Sequence, residues 1–168
     1  MRWIIFCAPF DEKEIKNALF QMSPTKYPGS DSFPAHFFQL NWDVCHEELT
    51  RVVLGVLNGN EIPTEINGTF IVLIPKVQNP VSLNQFWPIS LCNVVYKIIS
   101  KALANRLKRV LPDIISEEQS TFVPGRIITD NVLAAYECLH FMRTNRSKAN
   151  AHYAMKLDMT KAYDRQIE

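Results

Sequence analysis

Between Phe10 and Met22, charged positions are interleaved with apolar ones at helical spacing, so that Ile15, Ala18, Leu19 and Met22 fall on one face. Asp11 can cap this helix, Glu14 three residues later can reach back to close a capping box, and Phe10 can staple onto Ile15. Two prolines and Gly29 mark the following segment, residues 23–32, as a loop. Pro34 is placed as the first helical residue of PAHFFQLNWDV, whose aromatics read as core filling. A further helix is expected from about Cys45 to Leu57, with Leu49, Val52, Val53 and Val56 as its buried stripe and Asn58-Gly59-Asn60 as its stop.

The rhythm then changes. TFIVLIPK, residues 69–76, is a nearly continuous β-branched run that predicts a strand buried on both faces. From about Leu91 to Leu111 the helical period returns, with Val95, Ile98, Ile99, Ala102, Leu103 and Val110 on the inner side and Pro112 as the stop. Thr129 can cap another helix, TDNVLAAYECLHFMR, and TNRSKANA reads as a surface loop. AHYAMKLDM predicts a second strand that delivers Asp158 near its end. Helices interleaved with a few strands, without a βαβ rhythm, predict a mostly helical α+β fold, and the length of 168 residues predicts one domain over 1–168.

Eighteen basic and seventeen acidic residues leave a net charge of +1, so total charge names no partner. Clustering says more. Lys97, Lys101, Arg106, Lys108 and Arg109 lie on the outer side of the predicted 91–111 helix with no acid between them. Two readings stand, a solvated helix face or a surface that neutralises nucleic-acid phosphates. Cys7, Cys45, Cys92 and Cys138 lack paired spacing and read as reduced, mostly buried thiols. The opening apolar run is cut by Pro9 and DEKE, too short for a signal peptide, and no segment approaches a membrane span. A reducing intracellular setting, in nucleus or cytoplasm, follows as the expectation.

A carboxylate at a strand end is a common Mg²⁺ ligand, but two-metal chemistry needs a second one converging on the same point. Asp164 follows Asp158 by six residues, roughly 20 Å in an extended chain, and is a poor partner. A capping or salt-bridging role for Asp158 would be the simpler reading of that residue alone.

Three long blocks change the picture: LIPKVQNPVSLNQFWPISLCNVVYKIISKALANRL, QSTFVPGRIITDNVL and KLDMTKAYD. In this order and spacing the chain resembles the fingers and early palm of reverse transcriptases of plant LINE-type, non-LTR retrotransposons, from about Phe10 to Arg165. The resemblance implies an RNA-directed DNA polymerase, a nucleotidyltransferase acting on an RNA template, a DNA primer and dNTP. It implies that Asp158 is the catalytic aspartate and a ligand of Mg²⁺, and that Tyr163 lies under the incoming sugar, with the backbone of Lys161 and Ala162 near the triphosphate. Lys76 of LIPK would reach the nucleotide phosphates, and Gly125 and Arg126 would lie near the template path.

Departures from the family pattern are as informative. Where it reads F-R-P-I-S this chain has Phe86-Trp87-Pro88-Ile89-Ser90, so an indole with one donor stands for a guanidinium fork. The K-A-P-G-x-D-G loop appears as Lys26-Tyr27-Pro28-Gly29-Ser30-Asp31-Ser32, with Ser32 where glycine would permit positive φ. The aromatic-x-Asp-Asp block expected to supply further metal ligands is not among these residues, which reads as a truncated remnant, inactive alone. A non-catalytic nucleic-acid-binding fragment is the alternative. Strands left without neighbours predict self-association through their edges.

Overall fold

The computed structural model describes residues 7–121, 123–144 and 153–156. The chain divides into two units, 1–114 and 115–168, each described by itself.

In the first unit, α1 (Glu12–Phe20) begins as its sequence dictates. The Glu14 amide donates to Asp11 Oδ1 at 2.8 Å and the Asp11 amide donates back to Glu14 Oε2 at 3.4 Å, a reciprocal capping box that satisfies two orphan donors. The predicted 34–44 helix is split. α2 (Ala35–Leu40) ends at non-helical Asn41, whose Nδ2 donates to the Phe37 carbonyl at 2.8 Å, and α3 (Trp42–Leu57) starts immediately after, three residues before the expected boundary. Trp42, read as filling, is buried at the head of α3 beside Leu49 and Val53. A short α4 (Thr64–Asn67) precedes a two-stranded antiparallel sheet, β1 (Thr69–Pro75) and β2 (Phe86–Cys92), in the register Thr69↔Cys92 to Pro75↔Phe86. α5 (Val94–Ile114) completes the unit.

The core is the meeting of α1, α2, α3 and α5 through Ile15, Leu19, Trp42, Val53, Val94 and Ile98. β1 is a strand, but it is exposed on both faces: Phe70, Ile71, Val72, Leu73 and Ile74 keep 42–64% of their surface, because a two-stranded ribbon has no covering layer. β2 was not anticipated. Its Pro88 argues against a central strand, yet in a two-stranded ribbon every strand is an edge strand and the missing donor costs little. Pro112 does not stop α5; it removes the donor that the Lys108 carbonyl would take, and the helix persists to Ile114. Leu103 is half exposed rather than inward. The thiols are free, as expected, but not buried: Cys7 and Cys138 are exposed and Cys45 and Cys92 intermediate.

One polar junction holds the 23–33 loop onto the sheet-to-helix corner. Buried Asn93 donates through Nδ2 to the Glu65 carbonyl at 2.8 Å, and its Oδ1 accepts from Ser30 Oγ at 3.2 Å and the Asp31 amide at 3.4 Å. Gly29 is buried against this corner, where an added Cβ would sit 2.6 Å from the Cys92 carbonyl carbon and overlap Asn93 as well. Ser32 holds φ 60, so the residue standing where the family pattern has glycine does occupy left-handed backbone.

In the second unit, α6 (Ile128–Thr144) starts one residue before the expected cap Thr129, and none of its residues is buried. Residues 153–156 are described without strand structure; the rest of the expected second strand and most of the expected loop at 144–151 lie outside the described residues.

Two substitutions test the junction. Gly29→Ala is expected to destabilise by about 1–3 kcal/mol, since backbone must move to admit the methyl, while Ser32→Gly is expected to stabilise by about 1 kcal/mol by relieving a left-handed L-residue. Urea denaturation of the three proteins checks both signs.

Candidate nucleic-acid interface

The hairpin presents Lys76 at its turn end. The ladder runs past Pro75 through a Lys76 amide to Gln85 carbonyl bond of 2.7 Å, and the turn is ordered by Gln85 Oε1, which accepts from the Val81 amide at 2.7 Å and the Ser82 amide at 3.3 Å. Lys76 Nζ donates to the Asn84 carbonyl at 2.9 Å and lies 4.3 Å from the centroid of the Trp87 ring. Residues 76 and 87 are thus side by side, and in this chain the ammonium is spent on an indole face and a carbonyl of its own turn.

α5 divides its basic residues between two sides. Lys97, Lys101 and Lys108 are four and then seven residues apart, which puts them within about 40° of one another around a helix. Lys97 Nζ donates to the Tyr27 carbonyl at 2.8 Å, pinning the 23–33 loop, and Lys97 and Lys101 share a cleft with Lys26. Arg106 is on the other side and is corrected from an outward cation to a buried one, 3% exposed. Its Nε donates to Glu14 Oε1 at 2.9 Å, its Nη2 to Glu14 Oε2 at 2.6 Å and to the Pro9 carbonyl at 2.8 Å, and its Nη1 to the Ala8 carbonyl. The guanidinium also stacks 3.4 Å from the centroid of the Phe10 ring. Arg109 is exposed but lines a cleft with Glu14, Asn17 and Asn105, so its neighbour is a carboxylate.

Gly125 and Arg126 belong to the second unit. Gly125 has φ 83 and open space around it, so backbone conformation alone accounts for glycine there. Arg126 donates to the carbonyls of Ser116, of Gln119 at 2.6 Å and of Ile115 at 3.1 Å, gathering the segment ahead of α6. Asp158, Lys161, Ala162 and Tyr163 lie outside the described residues. Among the described residues no group of three His, Cys, Asp or Glu side chains is placed to hold a metal, and no helix is long and apolar enough to cross a membrane.

The pattern of the family described as "Reverse transcriptase (RNA-dependent DNA polymerase)" matches residues 74–166, more than half of the chain and both units. The chain belongs to the reverse transcriptase family. It is 37% identical over 158 residues, 94% of its length, to the Transposon TX1 uncharacterized 149 kDa protein of Xenopus laevis. It spans 12% of that relative. It is therefore part of a reverse transcriptase domain with an α+β fold.

Lys26 was not singled out by sequence, because nothing in KYPGSDS indicates that the loop folds against α5. The burial of Arg106 was equally hidden, since its carboxylate partner lies 92 residues away. The hydrogen bond from Arg106 holds the Glu14 carboxyl below the usual range, against an opposing push from burial. A depressed folded value means that Glu14 contributes its stability above the unfolded carboxylate range and loses it as pH falls through the folded value. Urea midpoints from neutral to acid pH should therefore fall less for Glu14→Gln than for the parent on the acid limb, and Arg106→Gln should cost about 3 kcal/mol at neutral pH by leaving a carboxylate without its fork.

Proposed function

We propose that residues 1–168 form one partial domain, the fingers and the start of the palm, of an RNA-directed DNA polymerase encoded by a plant LINE-type, non-LTR retrotransposon. The whole enzyme is a nucleotidyltransferase that copies an RNA template from a DNA primer with dNTP, inside the cell. Asp158 is its metal ligand in this segment, and Mg²⁺ suits a carboxylate that leaves positions for water and phosphate oxygens. Tyr163, with the backbone of Lys161 and Ala162, contacts the nucleotide. Lys97, Lys101 and Lys108 face template or primer, and Gly125 and Arg126 lie near the template path, whereas Arg109, beside Glu14, stands apart from that face. The observation that supports the nucleotide end is the pairing of positions 76 and 87, which lie 11 apart in sequence yet meet at 4.3 Å on the hairpin end. These are the positions whose Lys and Arg the family pattern directs at the triphosphate.

Trp87 gives this segment a weakened nucleotide grip, for it removes a guanidinium and occupies Lys76. The exposed apolar faces and unpaired edges of the hairpin favour self-association, which light scattering would report as a mass rising with concentration. A purely nucleic-acid-binding role is not favoured, because the family match includes the block around Asp158.

Primer extension with dNTP and Mg²⁺ tests the reading on four proteins: the chain alone, a chimera with a related downstream palm and thumb, that chimera with Trp87→Arg, and the latter with Asp158→Asn. The chain alone is expected to be inactive, since phosphoryl transfer depends on positioned metals and charge stabilisation. The chimera should extend, Trp87→Arg should lower its KM for dNTP by about tenfold, and Asp158→Asn should abolish activity. Asp158-dependent extension by the chain alone, or an unchanged KM in Trp87→Arg, would contradict the reading.

A further inference from the structure

The segment between α1 and α2 is held at two points and stands free between them. Gln39 Nε2, on α2, donates to the Leu19 and Met22 carbonyls, each at 3.0 Å, and fixes the end of α1. Lys97 Nζ donates to the Tyr27 carbonyl at 2.8 Å, and Gly29 is buried at the sheet-to-helix corner. Residues 23–26 project from between these anchors, and every one of them is exposed. They read Ser23-Pro24-Thr25-Lys26, and Ser23 is the only Ser or Thr in the whole sequence that is followed by proline.

We propose that Ser23 is a phosphorylation site for a proline-directed protein kinase that also reads Lys26. Pro24 has no amide N–H, so the sequence suits a kinase whose subsite after the acceptor is apolar and asks for no donor. Lys26 offers that kinase a cation three residues on, the kind of charge pattern by which kinases select substrates. The segment is also free to enter a kinase groove. Its turn is closed by the Lys26 amide donating to the Ser23 carbonyl at 3.3 Å, a long bond that is cheaply opened. Among the described residues the Ser23 hydroxyl contacts only Thr25 Oγ1, at 3.2 Å, so no backbone group depends on it. In the transfer, Ser23 Oγ attacks the γ-phosphorus of ATP, the bond to the bridging oxygen breaks and ADP leaves. The hydroxyl proton passes to the catalytic aspartate of the kinase. In the cell this needs the intracellular setting proposed above, but the site itself does not depend on the polymerase reading.

The surroundings favour the product. No Asp or Glu occurs between Glu14 and Asp31, so the new charge of about −1.5 to −2 meets no neighbouring acid along the chain. Met22, the residue before the acceptor, lines the cleft shared by Lys26, Lys97 and Lys101, and among the described residues no carboxylate lines it. Phosphoserine at position 23 pairs with ammonium groups there through charge-assisted hydrogen bonds. The modification thus supplies a counter-charge to the lysine side of α5, and changes that side from basic to near neutral.

The full chain, incubated with ATP, Mg²⁺ and a proline-directed kinase, tests the site by intact-mass and peptide mass spectrometry. One phosphoryl group is expected, on the peptide carrying Ser23. Ser23→Ala should abolish it, Pro24→Ala should slow it about tenfold as one lost subsite contact, and Lys26→Gln should slow it about threefold as one lost surface charge pair. Thr25→Ala should be modified like the parent, and circular dichroism melts check that all variants fold. Phosphorus NMR then reads the counter-charge. The second ionisation of the phosphate should fall below the value of about 6 for free phosphoserine, because nearby ammonium groups favour the dianion, and Lys26→Gln should raise it again. No incorporation into a folded parent chain by a kinase active on its standard peptide, incorporation that survives Ser23→Ala, or an unchanged rate in Pro24→Ala would overturn the site. A phosphate that titrates like free phosphoserine would overturn the counter-charge.

Discussion

A buried guanidinium organises the first unit. Arg106 sits near the middle of α5, donates to both oxygens of Glu14 on α1 and to two carbonyls of the segment leading into that helix, and covers the Phe10 ring. Glu14 is also the capping-box residue of α1, so one carboxylate joins the start of that helix to the middle of another. Around that bond Ile15, Leu19, Ile98 and Ala102 pack at the same interface. A lone arginine placed there would be costly to bury; the paired one is tolerated because its donors are satisfied.

With Arg106 fixed inward, the angular position of every other side chain on α5 follows. Lys97, Lys101 and Lys108 must turn away from α1, toward the loop that Gly29 and Asn93 hold at the sheet-to-helix corner. The same corner receives β2, so the hairpin bearing Lys76 and Trp87 is rooted where the lysine face begins. The Lys76–Trp87 pair and the lysine face of α5 are thereby joined through one corner, by residues scattered between positions 26 and 108.

Much of this was legible where it was local. The capping box at Asp11 and Glu14 needs only a four-residue window, and the period of Ile98, Ile99, Ala102 and Val110 marks the buried side of α5. What was not legible depended on distant partners. A basic residue at position 106 looks the same in a string whether it meets water or a carboxylate 92 residues away. The apolar run of β1 likewise reports a strand but not how many layers cover it, nor that its partner is the Pro-containing segment Phe86–Cys92. Of the candidate site, the order of blocks carried the family, whereas the contact between Lys76 and Trp87 and the contribution of Lys26 needed coordinates.

We propose that α5 separates a structural cation from a nucleic-acid face. Photo-crosslinking of a bound oligonucleotide followed by peptide mapping addresses it most directly. Adducts are expected on the segments around residues 26 and 90–108, at the lysine side. Adducts concentrated on α1 and the 8–14 segment, the side where Arg106 and Glu14 meet, would contradict the account.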